Sequence, residues 1–324
     1  MQKLLFSLSI ITLGLIIGYV IQRLTIANII KVDKSLSKQR KTLQIIALLF
    51  LNPIATIGAI WSLSFDNLSY VFFPIIGIFA IFCGGLTSLL FTKILKLNNK
   101  QSGSFFSCGA FTNIGSIGAL IVFIFLGEEA FALVPIYKIF EPVIYYTIWF
   151  PIAKSYSPNI IKNDSKKKFI KIITDPFILI TLISIIIGFI LNFSNITRFS
   201  FYSKINSFLI PLASLLLLTS IGMAMKFSKI KKYIKPTIFI STIKYLIVPI
   251  LTTTLAYFLG FGSINNGLPL KVVIILSSMP VGFIALVPPA IYDLDVDFAN
   301  AGWLVTTALL ILVIPLQMLV ISFL

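Results

Sequence analysis

Ten predominantly apolar stretches follow one another along the chain, at roughly 4–22, 43–62, 70–92, 104–126, 132–153, 174–192, 206–225, 236–260, 271–291 and 299–322. About 20 such residues are what an α-helix needs to cross a bilayer core. No water reaches that depth, so the backbone has to satisfy itself, and helices do this within one segment. Only 11% of the residues are charged and the mean hydropathy is +1.04, whereas a soluble domain carries about 25% charged residues. No long polar tract interrupts the 324 residues. One all-α integral membrane domain is expected. Lys3 precedes the first stretch, but no small-x-small cleavage site precedes Arg23. The stretch therefore reads as an uncleaved span rather than a signal peptide.

A net charge of +16 would suit a nucleic-acid partner, but its placement argues for membrane topology. Twenty Lys and Arg residues fall in the loops after spans 1, 3, 5 and 7, against four on the other side: Lys3, Arg198, Lys204 and Lys271. The positive-inside rule then places those loops in the cytoplasm and both termini outside. There is no histidine, and Cys83 and Cys108 show no metal-ligand spacing. Neither a metal nor a cofactor is expected, and a disulfide framework is not indicated.

Two spans carry residues that an unbroken helix does not want. The fourth contains Thr112-Asn113-Ile114-Gly115-Ser116-Ile117-Gly118, and the ninth contains Ser278-Met279-Pro280-Val281-Gly282. Glycine disfavours helix, proline removes a donor, and Asn or Ser can bond the freed backbone. The basic connector at 154–173 divides the chain into 1–153 and 174–324, with five spans each. Five is odd, so two halves of one fold would be inverted. Leu51-Asn52-Pro53-Ile54-Ala55-Thr56 in span 2 parallels Leu209-Ile210-Pro211-Leu212-Ala213-Ser214 in span 7, and Pro142 in span 5 parallels Pro315 in span 10. Paired interruptions in matching positions of two halves point to a transporter's binding site. If both spans unwind at mid-depth, half-helix N-termini near Gly118 and Gly282 would supply positive potential for an anion. Asn113, Gly115, Ser116, Gly118, Ser278, Pro280 and Gly282 are the candidate substrate-binding residues.

Span 5 holds Lys138 and Glu141 on one face, with Tyr137 and Tyr145 flanking Glu141 at four-residue spacing. Lys138, Glu141 and Tyr145 either line the path and couple protons, or the charged residues form a neutralised structural pair. Lys244 in span 8 reads as a snorkelling residue two turns from the cytoplasmic face. Glu128 and Glu129 read as a solvated loop pair, and Asn52 and Gln317 as interhelical hydrogen-bonding groups.

At these residues the chain resembles the auxin efflux carrier family, which includes bacterial malate and malonate permeases. Asn113-Ile114-Gly115-Ser116-Ile117-Gly118 matches the family's fourth-span motif, and Met279-Pro280-Val281-Gly282 its ninth-span core. Tyr292-Asp293, Ala299-Asn300-Ala301, Thr306-Thr307 and Pro315 follow in family order. Ala119-Leu120 stands where the family has a proline, and Phe283-Ile284 where it has polar residues. The resemblance implies ten transmembrane helices in two inverted five-helix repeats, with broken helices 4 and 9 crossing at the substrate. It implies a scaffold of spans 1, 2, 6 and 7, an elevator-like motion, an organic-anion substrate, a homodimer and a bacterial inner membrane.

The expected function is a secondary carrier, permease or efflux, for a small organic anion. The lipid bilayer is its other partner, and nucleic acid is not one. A sodium-coupled symporter of the bile-acid type is the alternative within transport, but acidic candidates near the crossing are few. A membrane-embedded enzyme lacks histidine, an intramembrane Asp pair and a nucleotide loop. A non-transporting sensor lacks a signalling domain.

Overall fold

The computed structural model describes residues 2–29, 35–63, 68–158, 174–194, 196–227 and 229–324. Most of the basic connector lies outside the described residues, as do Lys31 and Lys34 of the first loop. The described chain is helical, and its extended backbone is an isolated bridge.

Eight helices among the described residues are long and apolar enough to cross a membrane. They are α1 (Gln2–Ile26), α2 (Leu36–Trp61), α3 (Tyr70–Ile94), α6 (Glu128–Ser155), α7 (Pro176–Phe193), α8 (Tyr202–Gly222), α9 (Ile230–Phe258) and α12 (Val296–Ser322). The other two expected spans are not continuous. The fourth is divided into α4 (Asn99–Ala110) and α5 (Ile114–Leu126). The ninth is divided into α10 (Leu268–Ser277) and a 3-10 turn, Phe283–Leu286, that leads into α11 (Val287–Ile291). Large apolar side chains such as Leu13, Phe208, Ile250 and Leu312 are exposed, as lipid-facing positions of a multi-pass membrane protein are.

The chain forms two compact units, and each draws on both halves of the sequence. The first comprises Met1–Asp66, Gly115–Pro135 and Pro176–Met225. In it α1 packs along α8, and α2 packs against α7 and α8. Lipid offers helices no hydrophobic drive to associate, so close packing has to supply it, and small residues permit that. Gly14 of α1 would place a Cβ 2.7 Å from Leu218 Cβ, and a Cβ at Gly18 would run into the Thr219 carbonyl. Gly188 of α7 lies against Ile60 of α2.

Glu128 is in this unit too, and it is not solvated as the sequence suggests. Its carboxylate accepts from the Arg198 guanidinium and from Asn206 Nδ2. Asn206 also donates to the Ala55 carbonyl at 3.1 Å, and the Arg198 guanidinium lies over the Tyr202 ring. The Glu128 side chain is 16% exposed, and the Arg198 guanidinium takes the place of much of its hydration.

The second unit comprises Asn67–Ile114, Ile136–Asp175 and Lys226–Leu324. Here α4 packs on α3, α9 packs on α10 and α12, and α12 packs on α4. A Cβ at Gly84 would meet the Gly109 carbonyl, and one at Gly85 the Trp149 ring at 2.8 Å.

Three helices widen into a π-turn just before a proline. The Asn52 N–H reaches the Ala47 carbonyl ahead of Pro53, Phe150 reaches Tyr145 ahead of Pro151, and Val248 reaches Ile243 ahead of Pro249. Proline has no N–H, and its ring clashes with the carbonyl four residues back, so the preceding turn opens by one residue.

Candidate functional site

The two interruptions lie side by side within the second unit. After Ala110 the backbone becomes extended at Phe111, and Thr112 pairs with Val281 in an antiparallel bridge. The Asn113 N–H donates to the Pro280 carbonyl at 2.9 Å, and the Gly282 N–H to the Phe111 carbonyl at 3.0 Å. Val281 N–H donates to Thr306 Oγ1 at 3.2 Å, and Thr112 N–H to the Tyr145 hydroxyl at 3.2 Å. Each break thus supplies a backbone acceptor to the other, and α12 and α6 each supply a side-chain hydroxyl. That accounting is what a water-free interior demands of non-helical backbone.

Gly282 is the tightest point of this pairing. A Cβ there would lie 2.8 Å from the Thr112 carbonyl oxygen. Pro280 cannot donate, and here it is used only as an acceptor. Ser278 ends α10. Its hydroxyl donates to the Ile274 carbonyl at 2.5 Å and accepts from Gln317 Nε2 at 2.6 Å. Gln317 therefore does bond between helices, and its target is the break.

A buried lysine holds the centre of the site. Lys244 is 1% exposed, and its Nζ donates to Thr112 Oγ1 at 2.7 Å. The sequence reading of Lys244 as snorkelling is thus corrected. Its π-turn, Ile243–Ile247, directs the side chain inward to the break rather than along the helix to the surface. Tyr145 stands in the second π-turn, Tyr145–Trp149, so two prolines, Pro249 and Pro151, help to set the two side chains that grip Thr112. Phe111 packs edge-on to Tyr145, with ring centroids 4.5 Å apart.

The remaining candidates divide. Asn113, Ser278, Pro280, Gly282 and Tyr145 are gathered at the paired breaks. Gly115, Ser116 and Gly118 belong to the first unit, in a π-turn Ile114–Gly118 that is already helical. The helix therefore restarts at Ile114 and not near Gly118, because Asn113 and Thr112 absorb the break. On the other side the restart is short: Gly282 is extended and a 3-10 turn precedes the five residues of α11. Lys138 and Glu141 are joined through backbone, Glu141 N–H to Lys138 carbonyl at 2.9 Å. The ion pairs among the described residues, Lys100–Asp293, Arg198–Glu128 and Lys229–Asp297, do not include them. Glu141 instead has a buried Oε2 with no hydrogen-bond partner, and it is attracted by Lys244 as well as Lys138. The Tyr137 hydroxyl is likewise buried without a partner.

Lys244 is the candidate site residue that sequence reasoning set aside. A lysine five residues ahead of a proline in an apolar span was the available signal, since the widened turn before proline redirects side chains.

A second polar feature of this unit is an open cavity of about 1050 Å³ whose lining includes Lys100, Lys226, Lys229, Lys232, Asp295 and Asp297. Two of its four lysines are paired with aspartates. Lys100 pairs with Asp293 at 2.8 Å and Lys229 with Asp297 at 2.6 Å. The Asp297 hydrogen bond holds the Lys229 ammonium above the ordinary lysine value. Asp295 caps α12 through Phe298 N–H at 3.0 Å and accepts from the Tyr233 hydroxyl at 2.8 Å. The paired breaks, with their buried ammonium, are the stronger candidate. No protein-family model matches the chain, and no curated protein matches it.

Proposed function

We propose that the chain is a secondary transporter for a small organic anion, with its substrate site at the paired breaks. The observation that carries this reading is the mutual hydrogen bonding of two interrupted helices around Thr112 and Val281, with Lys244 buried against them. Non-helical backbone at membrane depth is tolerated where it is buried in protein or lines a cavity, and such places are where transporters bind. An intramembrane ammonium is costly to keep and calls for an anion.

In this reading the eight long helices and the two divided ones make ten spans in two inverted five-helix repeats. Helices 4 and 9 are the crossing pair. Spans 1, 2, 6 and 7 fall in one compact unit, which suits a scaffold, while spans 3, 8 and 10 and the breaks fall in the other. Transport proceeds by elevator-like alternating access in a cytoplasmic (inner) membrane, with both termini outside. The resemblance to auxin efflux carriers agrees with this and adds carboxylates as the substrate class and a dimer as the assembly.

The test is a thermal-shift screen of small carboxylates on the purified protein, followed by uptake into proteoliposomes. A stabilising carboxylate whose uptake is abolished by Asn113→Ala, in a protein that stays folded in the membrane, is expected. Normal transport by that variant removes Asn113 from the site, and the absence of any carboxylate response overturns the anion assignment.

A further inference from the structure

Lys244 is buried and Glu141 is half-buried with its Oε2 enclosed, and the two side chains are not joined. The ammonium has three donors, and the hydrogen bond it makes is to a neutral hydroxyl, Thr112 Oγ1, at 2.7 Å. The Glu141 carboxylate attracts it, yet the two do not approach within 4.0 Å as an ion pair, and Glu141 Oε2 is buried with no hydrogen-bond partner. A purely structural pair would close that gap, because desolvation of both charges is offset only by good geometry and direct contact. Two charges held apart at a helix break leave each available to something else.

Building on the transporter reading, we propose that Lys244 and Thr112 bind one carboxylate of the transported anion, and that Glu141 carries one proton with it. In this proposal Glu141 is ionised while the site is empty and serves as the distant counter-charge of Lys244. A bound carboxylate takes over that role at shorter range. Glu141 then faces a neutralised ammonium and an added negative charge, and it takes a proton from the medium. The occupied site thereby keeps the charge of the empty one. Binding and protonation are linked, and each favours the other by the same free energy.

The other titratable groups around Glu141 do not replace it. Lys138, Tyr137, Tyr145 and Tyr146 share its span, and Tyr137 and Tyr145 flank it. Cys83 of α3 lies near Tyr137, and Cys108 of α4 lies near Lys244, with its thiol on the Ala299 carbonyl at 3.6 Å. Asp175 acts on Tyr146 but not on Lys244, so Glu141 is the carboxylate coupled to Lys244.

The experiment titrates acetate, lactate, benzoate and malonate into the purified protein in weakly buffered, carboxylate-free solution near pH 7, reading heat and proton uptake together. The wild type is expected to bind at least one of them with proton uptake approaching about one per anion. Glu141→Gln is expected to bind the same anion with no proton uptake. Lys244→Gln should weaken binding at least about tenfold, and Lys244→Arg should restore most of it, since a charge-assisted contact is kept. If Lys244→Gln does not fold, the Lys244→Arg and Glu141→Gln arms decide. Proton uptake that persists in Glu141→Gln, or undiminished binding by a folded Lys244→Gln, overturns this proposal and leaves the transporter reading standing. If none of the four anions binds the wild type, the carboxylate site falls, and this proposal with it.

Discussion

The Lys244 ammonium donates to the Thr112 hydroxyl across 2.7 Å, and the Thr112 N–H in turn donates to the Tyr145 hydroxyl across 3.2 Å. One residue of a broken helix is thereby held by side chains from two others, each projecting from a π-turn. The contact makes Thr112 the acceptor for a buried charge, which turns a local backbone break into a polar centre.

Thr112→Val keeps the shape and removes the acceptor. It is expected to cost about 1.5–3 kcal/mol, the range for a hydrogen bond to a charged group. Thr112→Ser should be close to wild type. Thermal or denaturant unfolding in detergent measures both, and a wild-type midpoint for Thr112→Val would show that the contact carries no stability.

Gly282→Ala places a methyl group 2.8 Å from the Thr112 carbonyl, where backbone must move to admit it. A loss of about 1–3 kcal/mol is expected, as for other overpacked sites. Gly262 is the control, because its added Cβ would find its nearest neighbour, Leu270 Cδ2, at 3.5 Å. Equal midpoints for the two alanine variants would contradict the close pairing of the breaks.

Glu128→Gln leaves the Arg198 guanidinium, whose side chain is 16% exposed, without its anion. Removing one partner of a buried pair is expected to cost about 3–5 kcal/mol. Replacing Glu128 and Arg198 together with leucine should recover part of that loss. A double-mutant cycle gives the coupling, and a value near zero would make Glu128 the solvated residue its sequence context suggests.

Asp295→Ala removes the cap of α12 and the acceptor of the Tyr233 hydroxyl. A loss of about 1–2 kcal/mol is expected from the cap alone. Asp295→Asn, which can still accept from Phe298 N–H, should lose less, and the same unfolding measurement distinguishes them.

A single cysteine at Lys166 in an otherwise cysteine-free protein should react with a membrane-impermeant thiol reagent only from the cytoplasmic side. Labelling of intact cells from outside would invert the topology that the lysine count supports.

The helical membrane class, the eight long helices and the interruption of two further segments were all legible in the chain. They depend on local quantities: run length, hydropathy, and the cost of Pro280, Gly282 and Asn113 within a helix. Tertiary structure decided where the breaks begin and what they touch. Thr112 rather than Gly115 or Gly118 is extended, because Asn113 N–H finds the Pro280 carbonyl, more than 160 residues away in sequence. It also turned Lys244 inward and gave Glu128 a guanidinium. An ionisable side chain in an apolar span can reach the surface or reach a partner, and the composition of its own segment is the same in both cases. Only the neighbours brought alongside by folding, the Thr112 hydroxyl for Lys244 and Arg198 for Glu128, separate the two outcomes.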